Sequence, residues 1–258
     1  RRDRGSMPDP ITITAVPCLQ DNYAYLVAAP DGAAWVVDPS EATPVREALD
    51  ARGLSLRGIL ATHHHWDHTH GIAELAASAP GCVVAAHAHD QGRIEGLTHP
   101  IDAPDDRYAS TGLWLTDAIE LQARLIPGHT LGAIAWLIPA ASNATEDGPD
   151  IFTGDTLFAA GCGRLFEGTP AQMHASLQAL TAGLPERTRL WFGHEYTASN
   201  LRFAAVAEPD NPAISERAAT LPPCTTPTTV AEERATNPFV RSATAAILGE
   251  RRQAKDAF

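Results

Sequence analysis

Residues 61–71, ATHHHWDHTHG, hold five histidines and one aspartate within eleven positions. A helix would place residues four apart on one face, whereas a strand would send alternate residues to one side. Neither period brings His63, His65, Asp67 and His68 together. We therefore expect a loop just past a strand end, where the backbone can turn several side chains toward one point. Imidazole nitrogens and a carboxylate oxygen that converge in this way are ligands for zinc or iron.

The composition is that of a globular protein and argues against several functions. Hydrophobic residues make up 44% of the 258 positions and charged residues 19%, enough for one large domain or a domain with a smaller companion. The net charge of −12 argues against a nucleic-acid partner, which needs a basic surface. No segment approaches the roughly 20 apolar residues of a membrane span. Four scattered cysteines without a CxxC pair favour a reducing, cytoplasmic setting.

Short apolar segments predict strands, and the first three lie close enough in sequence to pair antiparallel. The predicted strands are 11–17, 23–28, 33–39, 58–63, 82–86, 133–138, 150–154 and 189–193. Helical patterns with glycine or threonine at their ends predict the helices 43–53, 71–78 and 169–183.

After about residue 195 the pattern becomes helical, with predicted helices at 198–208, 215–221 and 242–258. The sequence therefore predicts a mixed α/β domain followed by a smaller helical one. Residues 1–6, RRDRGS, precede Met7 and are interpreted as an expression-vector remnant.

Three further residues of metal-ligand type occupy strand ends or turns. His129 precedes one predicted strand, and Asp155 and His194 each directly follow another. One edge of a sheet can gather such residues. Together with the first cluster they make seven candidate ligands, too many for one zinc ion, which takes about four. Seven ligands suit two ions that share a carboxylate, since two-metal sites hold their ions roughly 3.5–4 Å apart.

The remaining histidines and Cys162 are interpreted as residues without a metal-binding or catalytic role. His64 should point away from its neighbours by strand-like alternation, so its replacement should leave metal binding nearly unchanged. Cys162 is interpreted as a packed thiol. Asp38, at the end of a predicted strand, either hydrogen-bonds a ligand histidine or is an ordinary turn residue. The other histidines taken as non-ligands are His70, His87, His89, His99 and His174.

Four motifs, in this order and spacing, resemble the glyoxalase II (hydroxyacylglutathione hydrolase) family of the metallo-β-lactamase superfamily. They are THHHWDH (62–68), PGHT (127–130), GDTLF (154–158) and GHEYT (193–197). The resemblance runs from about Met7 to Phe258. A THxHxDH pattern alone would indicate only the superfamily. The tryptophan within it, the stretch GCGRLFEGT (161–169) and the basic C-terminal tail narrow the resemblance to the thioesterase.

This resemblance implies an αββα sandwich with a catalytic domain in residues 7–195 and an α-helical substrate-binding domain in residues 196–258. It also implies two divalent metal ions, with zinc expected and iron or manganese as alternatives. The ligands of one ion would be His63, His65 and His129. The ligands of the other would be Asp67, His68 and His194. Asp155 would bridge both, so that Asp67 and Asp155 act in catalysis by holding the metal-bound hydroxide.

The resemblance further implies a glutathione thioester as substrate. The implied substrate-binding residues are Arg164, Phe166, Tyr196, Arg252 and Lys255. Phe166 stands where some members have tyrosine, so a hydroxyl contact is missing there. The implied reaction is hydrolysis of S-2-hydroxyacylglutathione, above all S-D-lactoylglutathione, to glutathione and a 2-hydroxy acid. A cytoplasmic monomer is expected, and the sequence leaves open whether another small thiol replaces glutathione.

Three other functions compete with the thioesterase. A persulfide dioxygenase of the same fold would use a single iron, but such relatives lack the tryptophan of HHHWDH and the long helical C-terminus. A nuclease of the superfamily is opposed by the charge of −12. A binding protein with purely structural metals would leave no exchangeable water on them.

Overall fold

Two six-stranded sheets form the protein, which the computed structural model describes over residues 11–140 and 148–258. The proposed vector remnant, residues 1–6, lies outside the described residues. The first sheet follows chain order; its first three strands pair antiparallel, as predicted, and the other pairs are parallel. Its strands are β1 (Thr12–Cys18), β2 (Asn22–Ala28), β3 (Ala33–Val37), β4 (Ser55–Leu60), β5 (Val83–His87) and β6 (His99–Ile101).

The second sheet is mostly antiparallel, and a two-stranded hairpin lies beside it. The strands of this half are β7 (Ala109–Thr116), β8 (Ile119–Leu125), β9 (Ile134–Ile138), β10 (Asp150–Gly154), β11 (Leu157–Phe158), β12 (Gly161–Cys162), β13 (Arg189–Phe192) and β14 (Thr228–Thr229). The sheet order is β14-β13-β10-β9-β8-β7, with β10 and β13 parallel, while β11 and β12 form the hairpin.

The helices lie before, between and after these strands. They are α1 (Ala42–Asp50), α2 (Trp66–Thr69), α3 (Ile72–Ser78), α4 (Pro170–Thr181), α5 (Thr197–Ala207), α6 (Pro212–Ala219), α7 (Val230–Thr236) and α8 (Ala245–Asp256). Each predicted strand and helix is confirmed within a few residues, whereas the β7–β8 hairpin, α7 and the short elements β6, β11, β12, β14 and α2 were not predicted. None of the helices in the described residues has the length and apolar character to cross a bilayer.

Strand β2 shows how the core forms, because its alternate side chains point to opposite faces of the sheet. Tyr25 and Val27 point between the two sheets, into a cluster that includes Trp136. Leu26 points outward, into a cluster with Val45 of α1. A third cluster joins the outer face of the second sheet to α4 and α8. The four layers confirm the predicted αββα sandwich.

The C-terminal helices pack onto the second sheet rather than standing apart from it. Strand β14 adds an edge to β13, and α8 packs on α4. Gly249 allows this close approach, since an added Cβ there would lie 3.2 Å from Pro170 Cγ. The C-terminal segment thereby reaches the same edge of the sandwich as the histidine-rich stretch.

Candidate metal centre

The seven candidate ligands come together where strands of both sheets end. The stretch after β4 is a loop at His63 and His65, as predicted, but it then winds into helix α2, which carries Asp67 and His68. The loop prediction was therefore wrong for the second half of the stretch. The other three ligands follow or precede strands of the second sheet: His129 before β9, Asp155 after β10 and His194 after β13.

Three histidines form the first group of metal-ligand atoms. The ligand atoms of His63, His65 and His129 all lie within 4.8 Å of one another. His65 Nδ1 lies 3.1 Å from His63 Nε2 and 3.0 Å from His129 Nε2. Burial and the neighbouring imidazoles lower the pKa of His65 to about 4, so this ring is neutral at pH 7. Neutral imidazole is the form that binds metals.

In two of these rings, His63 and His129, a hydrogen bond at Nδ1 determines that Nε2 carries the lone pair. His129 donates its Nδ1–H to Arg164 O at 2.8 Å. Thr62 donates its hydroxyl to Asp38 Oδ2 at 2.6 Å, so at 3.0 Å its oxygen accepts from His63 Nδ1. Both Nε2 atoms therefore present lone pairs to the same point, as metal-bound histidines do.

Asp67, His68 and His194 form the second group, and it attracts positive charge more strongly. The Nε2 atoms of the two histidines lie 3.2 Å apart, and Asp67 Oδ2 is 3.3 Å from that of His194. Burial lowers the pKa of His68, but Asp155 and Asp38 outweigh it and raise the value to about 10. In the same way Asp155, Asp67 and Asp21 raise the pKa of His194 to about 11. This group holds protons or a metal cation in their place.

Asp155 lies between the two groups. Its Oδ1 is 3.2 Å from His68 Nε2, and its Oδ2 is 3.4 Å from His194 Nε2 and 3.5 Å from His129 Nε2. Oδ1 is buried and accepts no hydrogen bond within the described part of the chain. Gly193 leaves room for this carboxylate, because an added Cβ would lie 2.4 Å from Oδ1. A buried carboxylate without a hydrogen bond, surrounded by imidazoles, is well suited to a metal.

Asp38 could be grouped with His63 and His68 as a third set of ligand atoms. Its oxygens are already used, however: Oδ1 accepts from Thr62 N at 2.7 Å, and Oδ2 accepts from the Thr62 hydroxyl and, at 2.9 Å, from His68 Nδ1. Asp38 therefore orients a ligand histidine and does not complete a further site. This settles the choice that the sequence left open.

Asp21 and Asn22 support the second group and were not predicted. Asp21 Oδ1 accepts from His194 Nδ1 at 2.9 Å, and Asn22 Nδ2 donates to Asp67 Oδ2 at 3.2 Å. Asp21 directly precedes β2 and Asn22 begins it, beside the metal-ligand edge. Both residues begin the stretch DNYAYLV (21–27). A lone carboxylate in a turn gives no sequence signal that it will contact a histidine far along the chain.

A cleft of about 800 Å³ opens onto this centre, and all five predicted substrate-binding residues line it. The Phe166 ring meets those of His65 and His129 edge-on, at 5.5 and 5.3 Å between centroids. The Tyr196 ring stacks on His194, with centroids 4.8 Å apart. Arg164 lies on the cleft wall and is largely exposed.

Arg252 and Lys255, on α8, differ in how free their charges are. Arg252 is buried, donating from Nη1 to Cys162 O at 2.7 Å and from Nη2 to Asp256 Oδ1 at 3.0 Å. Lys255 Nζ lies 3.2 Å from Ser199 O and is only half-buried. Burial, then Arg252 and Arg202, lower the pKa of Lys255 to about 8. Of these two α8 cations, Arg252 is thus committed to protein partners and Lys255 is available to a ligand.

Two cleft residues missed by sequence reasoning are Arg202 and Trp66. Arg202 is exposed and forms no ion pair within residues 11–140 and 148–258. Arg202 lies three residues after Ser199, another cleft residue, and so shares its face of α5. Trp66 is 66% exposed at the cleft edge and meets the His70 ring edge-on, 6.3 Å away. The ring contact with Trp66 is the structural role of His70.

The other non-ligand predictions agree with the geometry. Burial raises the pKa of Cys162 to about 11, so its thiol is protonated at pH 7 and a poor nucleophile. Six histidines lie outside the metal-capable groups found among the described residues: His64, His70, His87, His89, His99 and His174.

Comparison with known proteins first identifies the superfamily to which the chain belongs. A model of the metallo-beta-lactamase superfamily matches residues 20–194, and a model of the hydroxyacylglutathione hydrolase C-terminus matches residues 195–258. The fold and the clustered ligands thus define a metal-dependent hydrolase of that superfamily.

Relatives narrow this to one family. The hydroxyacylglutathione hydrolase of Shewanella baltica (strain OS155) is 44% identical over 252 residues, covering 94% of this chain and 90% of the relative. That of Jannaschia sp. (strain CCS1) is 46% identical over 245 residues, covering 92% and 88%. The chain belongs to the hydroxyacylglutathione hydrolase family. The crystal structure of ETHE1 from Myxococcus xanthus has a TM-score of 0.65 over 94% of this chain and 90% of that one. At 21% identity this likeness shows the fold alone.

Proposed function

We propose that the chain hydrolyses S-2-hydroxyacylglutathione thioesters, above all S-D-lactoylglutathione, at a centre of two divalent metal ions. The observation that carries the proposal is the position of Asp155. Its carboxylate lies within 3.5 Å of imidazole nitrogens from both ligand groups, at the floor of a cleft with basic walls.

In this proposal His63, His65 and His129 would hold one ion, Asp67, His68 and His194 would hold the other, and Asp155 would serve both. When bound, the ions supply a hydroxide nucleophile near neutral pH and polarise the thioester carbonyl. Zinc is proposed, with iron or manganese as alternatives, because histidine and carboxylate ligands without thiolate select weakly among these metals. The chain's own part is to orient the ligands: Asp38 holds His68 and Asp21 holds His194, each by an Nδ1 contact of 2.9 Å.

The cleft walls suit a substrate with carboxylates far from its reacting carbon. The protein carries a net charge of −12, so an anionic thioester depends on local cations. These cations are Arg164, Arg202 and Lys255, which line the cleft. Arg252 instead holds α8 in place through its hydrogen bond to Cys162 O. Phe166 and the Tyr196 ring cover opposite groups of metal-ligand histidines. These two aromatic rings shield the reacting carbon from bulk water and position it.

The leaving group needs little help from the chain. A thiol has a pKa of about 8.5, so it leaves as thiolate without a strong general acid. Cys162, buried and protonated, takes no part as a nucleophile. In this proposal, attack on the thioester carbonyl and departure of the thiolate therefore need only the metal-ligand residues and the residues that line the cleft.

The proposal extends to the organisation of the chain. Residues 7–195 would form the catalytic domain and residues 196–258 the helical substrate-binding domain, which supplies Tyr196, Arg202 and Lys255 to the cleft. A cytoplasmic monomer is proposed, and the four free cysteines suit a reducing compartment.

Thiol release from S-D-lactoylglutathione by zinc-loaded protein tests the proposal. A D-lactoyl thioester of a small neutral thiol serves as the matched substrate, since it keeps the acyl group and lacks the glutathione carboxylates. We expect a kcat/KM at least about 10-fold higher for the glutathione thioester, the value of one charge-assisted hydrogen bond. Oxygen uptake with glutathione persulfide by an iron-loaded sample, without thiol release from either thioester, would instead support the single-iron dioxygenase.

A further inference from the structure

His64 lies between two candidate ligands but points away from them, into a separate polar network. Its Nδ1 lies 3.2 Å from the buried Asp90 Oδ1, and Arg93 Nη2 lies 2.6 Å from its Nε2. The same Arg93 Nη2 donates to Glu167 Oε1 at 2.5 Å. These contacts join the loop after β4 to residues near β5 and to the segment after β12.

The chemistry of the partners fixes the state of the His64 ring. A guanidinium can only donate, so His64 Nε2 accepts from Arg93 and carries the lone pair. Nδ1 then carries the hydrogen and donates to Asp90. Both ring nitrogens are therefore used, and the ring is locked between an anion and a cation.

Glu167 extends the network to the segment that carries His129. Its Oε2 accepts from Leu131 N at 2.8 Å, and the backbone N–H groups of Phe166 and Glu167 donate to His129 O at 3.2 and 3.4 Å. Glu167 thus contacts the backbone of His129 and of Leu131, two residues further along. His64 fixes the backbone between His63 and His65, so one network reaches every ligand of the first group.

The second ligand group is held by different residues. Asp38, Asp21 and Asn22 contact His68, His194 and Asp67 respectively. In the described chain, no hydrogen bond or ion pair joins His64, Arg93 or Glu167 to a member of that group. Asp38 also reaches His63 through Thr62, so it serves both groups, whereas the network of His64, Arg93 and Glu167 contacts the first group alone.

We infer that His64, Arg93 and Glu167 are positioning residues that set the metal affinity of the His63, His65 and His129 group alone. This replaces the expectation that substitution of His64 leaves metal binding unchanged. The inference rests on the two-metal centre proposed above. It predicts that damage to the network loosens one ion and spares the other, which a loss of overall stability would not do.

Stepwise zinc binding by the full-length protein, in competition with a chromophoric chelator, tests the inference. We expect His64→Ala and Glu167→Gln to weaken one of the two ions about 10–100-fold, the range for outer groups that orient ligands. His64→Gln keeps an acceptor toward Arg93 and should recover part of the loss. Glu74→Gln, which breaks an exposed ion pair with Arg46 far from the centre, is the control and should match the parent protein.

The double variant with Asp21→Ala identifies which ion is affected. Asp21→Ala should weaken the ion of the second group, so the double variant His64→Ala, Asp21→Ala should weaken both, with additive free energies. If both single variants weaken the same ion, or if His64→Ala weakens both or neither, the inference is wrong. A parent protein that binds one ion would defeat the two-metal proposal, and the network would then stand only if His64→Ala weakens that ion.

Discussion

His68 and His194 point their Nε2 atoms at each other across 3.2 Å, and a carboxylate holds the Nδ1 atom of each from behind. Two imidazole nitrogens do not hydrogen-bond in this way when both carry lone pairs or both carry hydrogens. A cation between them resolves the conflict. Asp67 and Asp155 supply the negative charge that such a cation needs.

Replacement of Asp155 tests whether it serves both metal positions. Asp155→Asn keeps the shape of the side chain but removes its charge, so we expect both ions to bind more weakly and the hydrolysis rate to fall at least about 100-fold. His194→Ala should reduce only one ion. Metal analysis of dialysed samples measures this, and loss of a single ion from Asp155→Asn would refute the bridge.

Asp21→Ala should weaken metal binding without touching a ligand. The substitution removes the acceptor of the His194 Nδ1–H, and loss of such partners typically costs 10–100-fold in metal affinity. Asp117, exposed in the β7–β8 turn, provides the matched control Asp117→Ala. Equal zinc affinity in the two variants would show that His194 needs no carboxylate.

Lys255 should make substrate binding depend on pH above neutrality. Burial, then Arg252 and Arg202, lower its pKa to about 8 from its ordinary value of 10.5, so its charge is present below about pH 8 and is lost as the pH rises. KM for the anionic thioester should therefore rise between about pH 7 and pH 9, with kcat changed little. Lys255→Arg keeps its charge throughout and should flatten the rise. An identical profile in both proteins would assign the effect to another group, such as the substrate's own amine.

Arg252 and Lys255 should respond differently to truncation. Arg252→Ala leaves the buried Cys162 carbonyl without its donor, which costs about 1–3 kcal/mol and corresponds to a Tm lower by roughly 2–10 °C. Lys255→Ala should raise KM about 10-fold or more with little change in Tm. Thermal denaturation and steady-state kinetics on the same samples separate the two. Equal losses of Tm would make Lys255 a structural residue.

The sequence predicted candidate metal ligands because the chemistry of these residues and the positions of several of them at strand ends are both local features. His63, Asp155 and His194 each follow a segment whose apolar pattern already indicates a strand. The resemblance then supplied the grouping of the seven ligands, which spacing alone left open. Helix α7, by contrast, carries a capping box of Thr229 and Glu232, a local signal that our prediction omitted.

Residues whose roles depend on distant partners were beyond prediction. Asp21 meets His194 across more than half the chain, and His64 meets Glu167 both through Arg93 and directly, at 3.6 Å between Nε2 and Oε1. The β7–β8 hairpin was missed because its strands, ASTGLWLT and IELQARL, mix polar with apolar residues and lack the short apolar run from which the other strands were predicted. The resemblance implied Arg252 as a substrate-binding residue, and only packing shows that its guanidinium is already engaged.

Titration of metal-free protein with zinc, with thiol release from S-D-lactoylglutathione followed in the same samples, tests the central claim most directly. Two ions that share Asp155 should act as one centre. We therefore predict that activity rises until two equivalents of zinc are bound per chain and then stays constant. Full activity at one equivalent, or two bound equivalents without thiol release, would contradict a two-metal thioesterase.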